Sequence, residues 1–179
     1  MPFPLYTSKT AIISSCGLYR YSLRRCWDEA LPPFVVGMLN PSSADADIDD
    51  PTILRVVRRA GMLGLGSLIV WNLYAYRATD PAHLSLVADP VGPENRRWIR
   101  ESLKECSDRS GIAIVGWGAG ATDQILTADV KSIATQLSVS LHCLGTTKEG
   151  HPRHPLYVSY STPLQPWGLL VVGGGFGVV

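Results

Sequence analysis

The chain has almost no surplus of charge: sixteen Lys and Arg stand against fifteen Asp and Glu, a formal net charge of +1. No global field therefore marks a polyanion or an anionic membrane as a partner, and a nucleic-acid role requires a local basic surface. No stretch approaches the roughly 18 consecutive apolar residues that a spanning helix needs. The opening residues 1–20 also lack the basic-then-apolar order of a secretory signal. The expectation is a cytoplasmic protein with no membrane partner. Its four cysteines, Cys16, Cys26, Cys106 and Cys143, are widely spaced and form no C-x-x-C pair. That spacing indicates neither a zinc site nor a disulfide framework, and they read as buried or half-buried thiols. Asp45, Asp47 and Asp49 share the spacing that opens a calcium loop, yet Asp50 stands where the turn glycine belongs and Val56 where the final glutamate belongs. His151 and His154 sit three apart in a proline-interrupted segment with no evident third ligand. No metal and no cofactor are expected.

What is present is apolar material, 46% of 179 residues, enough for one sizeable core and too little for two typical domains. The expected organisation is a single domain over residues 1–179: an N-terminal edge element (1–30), an α/β core (31–167) and an apolar, glycine-rich tail (168–179). Short β-rich apolar runs at Phe34–Leu39, Ser67–Trp71 and Ile112–Trp117 predict fully buried strands, with a less pure one at Val139–Leu144. Between them lies helical grammar. Asp50 followed by Pro51 caps one helix, residues 94–108 put Trp98, Ile99, Leu103 and Cys106 on roughly one face, and Ala119–Gln136 forms a weaker third. Strands alternating with helices predict a doubly wound, mostly parallel sheet. Residues 19–25 read as an antiparallel edge strand or a hairpin ahead of it. The tail after Trp167 reads as a final strand or a loosely held end, without a side chain suited to chemistry.

In an open parallel sheet, ligands bind beyond the carboxyl ends of the strands. The segments that follow the four strands carry Asn40 with Pro41 and Ser42, then Asn72, then Gly118-Ala119-Gly120, then the loop from Thr146 through His151 and His154 to Tyr157. Two carboxamides and two imidazoles are thus candidates for one crevice. Each also has a plain structural role open to it: Asn40 as a turn opener, Asn72 as a partner of neighbouring backbone, residues 45–50 as a solvated loop. Arg55, Arg58 and Arg59, with Arg96, Arg97 and Arg100, read as solvated helix faces or as the border of a phosphate-bearing ligand.

The stretches MLNPSSADADIDDPTILR, VWNLYAYRATDP, the WG of IVGWG, and LGTTKEGHPRHPLY resemble a largely bacterial and phage family known only as a domain of unknown function, sixteen-forty-three by number. More distantly, the same four stretches occur in the order of the uracil-DNA glycosylase superfamily. Its motifs are a G-x-[DN]-P segment, an asparagine after the second strand, a tryptophan-glycine, and H-P-S-P-L. That resemblance implies a three-layer α/β/α sandwich with a central, mostly parallel four-stranded sheet. It also implies a DNA glycosylase-like hydrolase that cleaves the N-glycosidic bond of a damaged or modified base, with nucleic acid as partner and a monomer as the expected state. Carried over, Asn40 positions the attacking water, Asn72 reads the base edge, His154 or His151 bonds the departing base, and Leu156 is the wedge that fills the gap of a flipped nucleotide. Ser42, Thr146, Thr147, Lys148 and Arg153 are expected at the nucleic-acid backbone, and Asp45 or Asp49 near the sugar.

The sequence departs from the superfamily pattern where Met38 replaces the motif glycine and where the last motif reads H-P-R-H-P-L-Y. Met38 and Pro41 are expected beside the base, and because no aromatic follows Asn40-Pro41 its stacking floor is expected from Trp71, Tyr74 or Tyr76. The cysteines lack the close N-terminal pair of the iron-sulfur branches. Two other functions stay open: a non-catalytic nucleic-acid or nucleotide binder of the same fold, and an N-glycosidase or transferase acting on free nucleotides.

Overall fold

A computed structural model describes residues 5–121 and 123–168. Strands β3 (Pro33–Met38) and β4 (Ser67–Asn72) are buried along their whole length, and β5 (Ile112–Val115) and β6 (Leu141–Cys143) nearly so. Runs of this kind need cover on both faces of a sheet. They pair in parallel, β4 with β3, β3 with β5, β5 with β6, in registers such as Val35 opposite both Ile69 and Ala113. Antiparallel strands extend both sides: β2 (Arg20–Cys26) on β4, β1 (Ser8–Ile13) on β2, and the two-residue β7 (Gln165–Pro166) on β6. Among the described residues the sheet has seven strands, in the order β1-β2-β4-β3-β5-β6-β7, where the resemblance implied a central sheet of four. The difference lies in its wings. Residues 19–25 resolve as the inner strand of a β1–β2 hairpin, covered on its outer side by β1, whose half-exposed sequence SKTAII offers no apolar run to detect.

Helix α1 (Pro51–Met62) begins as its sequence dictates, the Asp50 carboxylate accepting from Ile53 N at 2.9 Å with proline in the first turn. Its buried residues Ile53, Val56, Val57 and Ala60 pack with Phe34, Val36, Met38, Leu68 and Val70. Alternate residues of the same strands, Val35, Ile69, Trp71, Ala113 and Val115, pack with α2 (Asn95–Asp108) and α3 (Gln124–Gln136). Period-two strands thus divide their side chains between α1 on one face and α2 and α3 on the other. Helix α3 starts five residues later than expected, at an Asp123 cap that accepts from Ile125 N at 2.8 Å, and Gly118–Gly120 forms a short 3-10 turn instead. The expected tail, residues 168–179, lies outside the described residues beyond Gly168. No helix among the described residues is long and apolar enough to cross a membrane.

Two glycines mark close approaches. A Cβ at Gly37 would lie 2.3 Å from the Trp71 ring, so the indole lies flush across β3. A Cβ at Gly116 would meet Pro155 Cδ at 2.7 Å, so the chain after β5 and the chain beyond residue 152 touch. Those contacts shape the carboxyl end of the sheet.

Candidate functional site

Backbone bonds tie the four strand-end segments in two pairs. Leu73 N donates to Met38 O and Tyr74 N to Leu39 O, both at 2.9 Å, and Ala78 N donates to Pro41 O at 3.0 Å, which zips the first segment to the second. Gly118 N donates to Pro152 O at 2.8 Å, which seats the last segment on the third, and Arg153 N donates to Gly145 O at 2.9 Å within that last segment. Helix α1 joins the halves, because Arg55 Nε donates to Pro155 O at 3.1 Å and Arg55 Nη2 to Val158 O at 2.5 Å.

Asn40 is half-buried, and its Nδ2 donates to Ala78 O at 2.7 Å and Pro41 O at 3.1 Å. The amide end is committed to structure; Oδ1 makes no hydrogen bond among the described residues. Asn72 is 1% exposed. Its Oδ1 accepts from Arg20 Nη2 at 3.3 Å, and its main-chain oxygen accepts from Asn95 Nδ2 at 3.0 Å. A guanidinium only donates, so the oxygen of the carboxamide must face Arg20 and the amide nitrogen must face away. That nitrogen has no partner among the described residues.

Arg20 is the residue sequence reasoning missed. It is 2% exposed, donates through Nη1 to Ala44 O at 2.5 Å, and leaves Nε without a partner among the described residues. Burial depresses its pKa to about 10, with the nearby Asp50 and Asp45 carboxylates acting in the opposite sense. An arginine in Tyr-Arg-Tyr-Ser-Leu-Arg-Arg carries no signal that separates it from a solvated strand face.

The aromatic candidates separate. Trp71 is 1% exposed and belongs to the core, so it is no stacking floor for a ligand in this arrangement. Tyr76 meets Tyr19 edge-on with centroids 6.0 Å apart, and Tyr19 stacks in turn on Tyr21. It therefore serves the start of β2. Tyr74 is half-buried against the α2–α3 face, with its phenol pKa raised by burial and by Asp123. Met38 and Pro41 are buried, Met38 in the α1-side core, and Ser42 is half-buried.

The two acidic candidates differ in their partners. Asp45 accepts from Asp47 N at 2.9 Å and Ile48 N at 2.8 Å, and these N–H groups hold its pKa down. Asp49 accepts from Arg25 Nε at 2.6 Å and from the Tyr6 hydroxyl at 2.7 Å. The Asp49 carboxylate thus supplies the countercharge of the buried Arg25, while Asp45 holds its own turn through Oδ1 and gives Arg25 its main-chain oxygen.

The two histidines also differ. His151 closes a tight turn, its N–H donating to Thr147 Oγ1 at 3.3 Å and its carbonyl accepting from Thr147 N at 2.8 Å. His154 is half-buried, with its Cβ 3.7 Å from where a Gly118 side chain would begin. Its Nδ1 accepts from Leu156 N at 3.4 Å, so the proton of the neutral ring sits on Nε2. Burial lowers the His154 pKa, partly opposed by Asp50. Thr146, Lys148 and Arg153 are exposed and Thr147 half-buried around the same loop, and Leu156 is half-buried beside a Tyr157 that is 75% exposed.

Cavities of about 630, 770, 580 and 410 Å³ open on the surface, and none of these four is lined by Asn40, Asn72 or His154. No three His, Cys, Asp or Glu side chains gather into a metal-holding group among the described residues. Cys26, Cys106 and Cys143 are buried, whereas Cys16, expected buried or half-buried, is exposed on the β1–β2 turn.

Residues 20–156 match the family described as "Protein of unknown function (DUF1643)". The chain belongs to this family. The DUF1643 span opens on the buried Arg20 and closes on Leu156, so it takes in the strand-end segments up to that residue and leaves β1 and β7 outside. No curated protein matches the chain. Among solved structures, the hetero-hexameric glutamate dehydrogenase of Thermus thermophilus in its leucine-bound form is similar at 17% identity and a TM-score of 0.33. That likeness covers 73% of this chain but 30% of the dehydrogenase chain.

Proposed function

We propose that this DUF1643 protein hydrolyses the N-glycosidic bond of a damaged or modified base in nucleic acid, as the resemblance of its motifs to the uracil-DNA glycosylase superfamily implies. The observation that carries the reading is His154. It is half-buried, its pKa is lowered, and Nδ1 is occupied by Leu156 N–H, which leaves a neutral imidazole with Nε2–H as its donor. A base departing as an anion needs such a donor, aimed at the oxygen or nitrogen that gains charge and kept out of bulk water. Support also comes from the parallel order β4-β3-β5-β6, with helices on both faces and the motif segments at its carboxyl end.

In this reading Asn40 Oδ1 accepts from the attacking water, and the unpartnered Asn72 Nδ2 donates to a carbonyl oxygen of the base. The base is flipped from its stack at a cost of a few kcal/mol, least for damaged or unpaired bases. Because Asn72 is 1% exposed, the chain around it must open to admit the base.

The test is alkali-revealed strand cleavage of DNA carrying uracil, hypoxanthine, an oxidised pyrimidine or a phage-type modified base, with free nucleosides alongside. Abasic product is expected, falling about 10²–10³-fold in His154→Ala. Absence of product from every substrate overturns the proposal. The sealing of Asn72 and the commitment of the Asn40 amide favour a second reading, a non-catalytic nucleic-acid binder. Gel-shift binding that survives combined Asn40→Ala and His154→Ala, with no abasic product from the wild type, establishes it.

A further inference from the structure

The basic residues of α1 and α2 are treated differently by the fold. On α2, Arg96 pairs with Asp129, Arg97 with Glu94 and Lys104 with Asp108, Arg100 donates to the Gln136 side-chain oxygen, and Arg24 and Arg109 both reach Glu105. On α1, Arg55, Arg58 and Arg59 make no ion pair with a carboxylate among the described residues, and the helix sequence PTILRVVRRAGM holds no acidic residue. Their guanidinium carbons lie 4.4, 5.4 and 5.8 Å from the centroid of one ring, Tyr160. Three like charges gathered around one phenol repel one another, and each would be relieved by an anion from outside.

The three arginines do different work. Arg59 is 5% exposed and donates to Ser159 O, Tyr160 O and Thr162 O, and burial and the charge of Arg55 depress its pKa. With Arg55 on Pro155 O and Val158 O, these two fasten the chain after His154 to α1. Arg58 is exposed and makes no hydrogen bond among the described residues. It lines a cavity of about 410 Å³ with Pro51, Leu54, Arg55, Leu156 and Tyr160. The patch is therefore a held aromatic and apolar floor with one uncommitted guanidinium at its rim. It begins at Leu156 and lies beside the turn that carries His154.

We propose that this α1 face binds a nucleic-acid strand, Arg58 meeting a phosphodiester and a base lodging in the cavity against Leu54 and Leu156. Guanidinium and aromatic planes with sequence-tolerant stacking, set in a basic surface, are the chemistry that holds single strands. The choice of nucleic acid over another polyanion rests on the proposed function, but the surface requires no hydrolysis. It also supplies the local basic surface that a chain of net charge +1 lacks as a whole.

The experiment is fluorescence anisotropy of a labelled single-stranded oligonucleotide against wild type, Arg58→Ala, Arg58→Glu and, as a control on the α2 face, Arg97→Ala. Titrations run across a series of KCl concentrations, with circular dichroism to show each variant folded. Arg58→Glu is expected to weaken binding about tenfold or more at low salt, and Arg58→Ala to reduce the slope of log K against log salt by about 1. Arg97→Ala is expected to match wild type. Equal affinity and slope in both Arg58 variants, or no binding by wild type at the lowest salt, overturns the proposal. So does wild-type binding of inorganic phosphate or a mononucleotide as tight as that of the oligonucleotide. Base release by wild type with KM unchanged in Arg58→Glu sinks this surface and spares the hydrolase. Arg58-dependent binding without base release does the reverse.

Discussion

A guanidinium removed from water with no carboxylate in hydrogen-bond contact must spread its charge over other oxygens. Arg20 does so with Ala44 O and Asn72 Oδ1. Arg20→Ala abandons both acceptors and is expected to cost about 1–3 kcal/mol for each, measured by urea denaturation. Arg20→Lys is expected to recover little, because one ammonium lacks the planar fork that reaches two acceptors. His154 carries a pH dependence of opposite origin. Burial lowers its pKa in the folded chain below the ordinary imidazole value of 6.5, so between these two values the unfolded chain binds more protons. Stability is full above 6.5 and is lost as pH falls toward the depressed folded value. Thermal melts from neutral to mildly acid pH are expected to show the midpoint dropping, with a shallower drop in His154→Gln. An unchanged slope in that variant would assign the dependence to other groups. The segments that bear these residues were legible from motif order, but which atoms were already spent was not. Asn40 gives its amide to Ala78 O and Asp49 gives its carboxylate to Arg25 and Tyr6, partners 38, 24 and 43 positions away.

At the scale of elements, α1 couples cap to site. Asp50 accepts from Ile53 N, and its charge also raises the pKa of His154 against burial. Asp50→Asn keeps a good cap and removes the charge, so little stability is lost while the His154 pKa falls further. Asp50→Ala loses both, at about 0.5–2 kcal/mol for the cap. Denaturation and NMR titration of the His154 ring separate the two effects. Elements were legible where burial imposes a pattern on both faces. β3 to β5 are unbroken apolar runs, and α1 carries its own start signal in Asp50-Pro51. In the wings, β2 was legible as an edge strand or hairpin, whereas β1 and β7 were not, because β1 exposes much of its length and two residues of β7 have no period to read. Gly37 shows why a buried strand holds a glycine. A methyl group there would press into Trp71, and Gly37→Ala is expected to destabilise by about 1–3 kcal/mol, checked by urea denaturation.

For the whole molecule, one sheet joins a parallel middle, buried on both faces, to an antiparallel hairpin at one side. The β1–β2 hairpin is docked on α2 by Arg24, whose Nη1 meets both oxygens of Glu105 at 2.7 Å, with Arg109 completing the group at 3.1 Å. These groups are partly exposed, at 27% and 30% for the Arg24–Glu105 pair, so the link contributes only about 0.2–1 kcal/mol. A link that weak matters little to global unfolding, yet it is enough to bias local opening, since opening free energies range from near zero up to the global value. Glu105→Gln is therefore expected to speed amide hydrogen exchange in β1 and β2 severalfold while amides of β3, β4 and β5 keep wild-type rates. Because β2 begins with Arg20, the same opening would loosen the clamp on Asn72 and Ala44 without unfolding the core. Uniform acceleration across all strands would instead mean that hairpin and core open only together, and that Arg20 is released only by global unfolding.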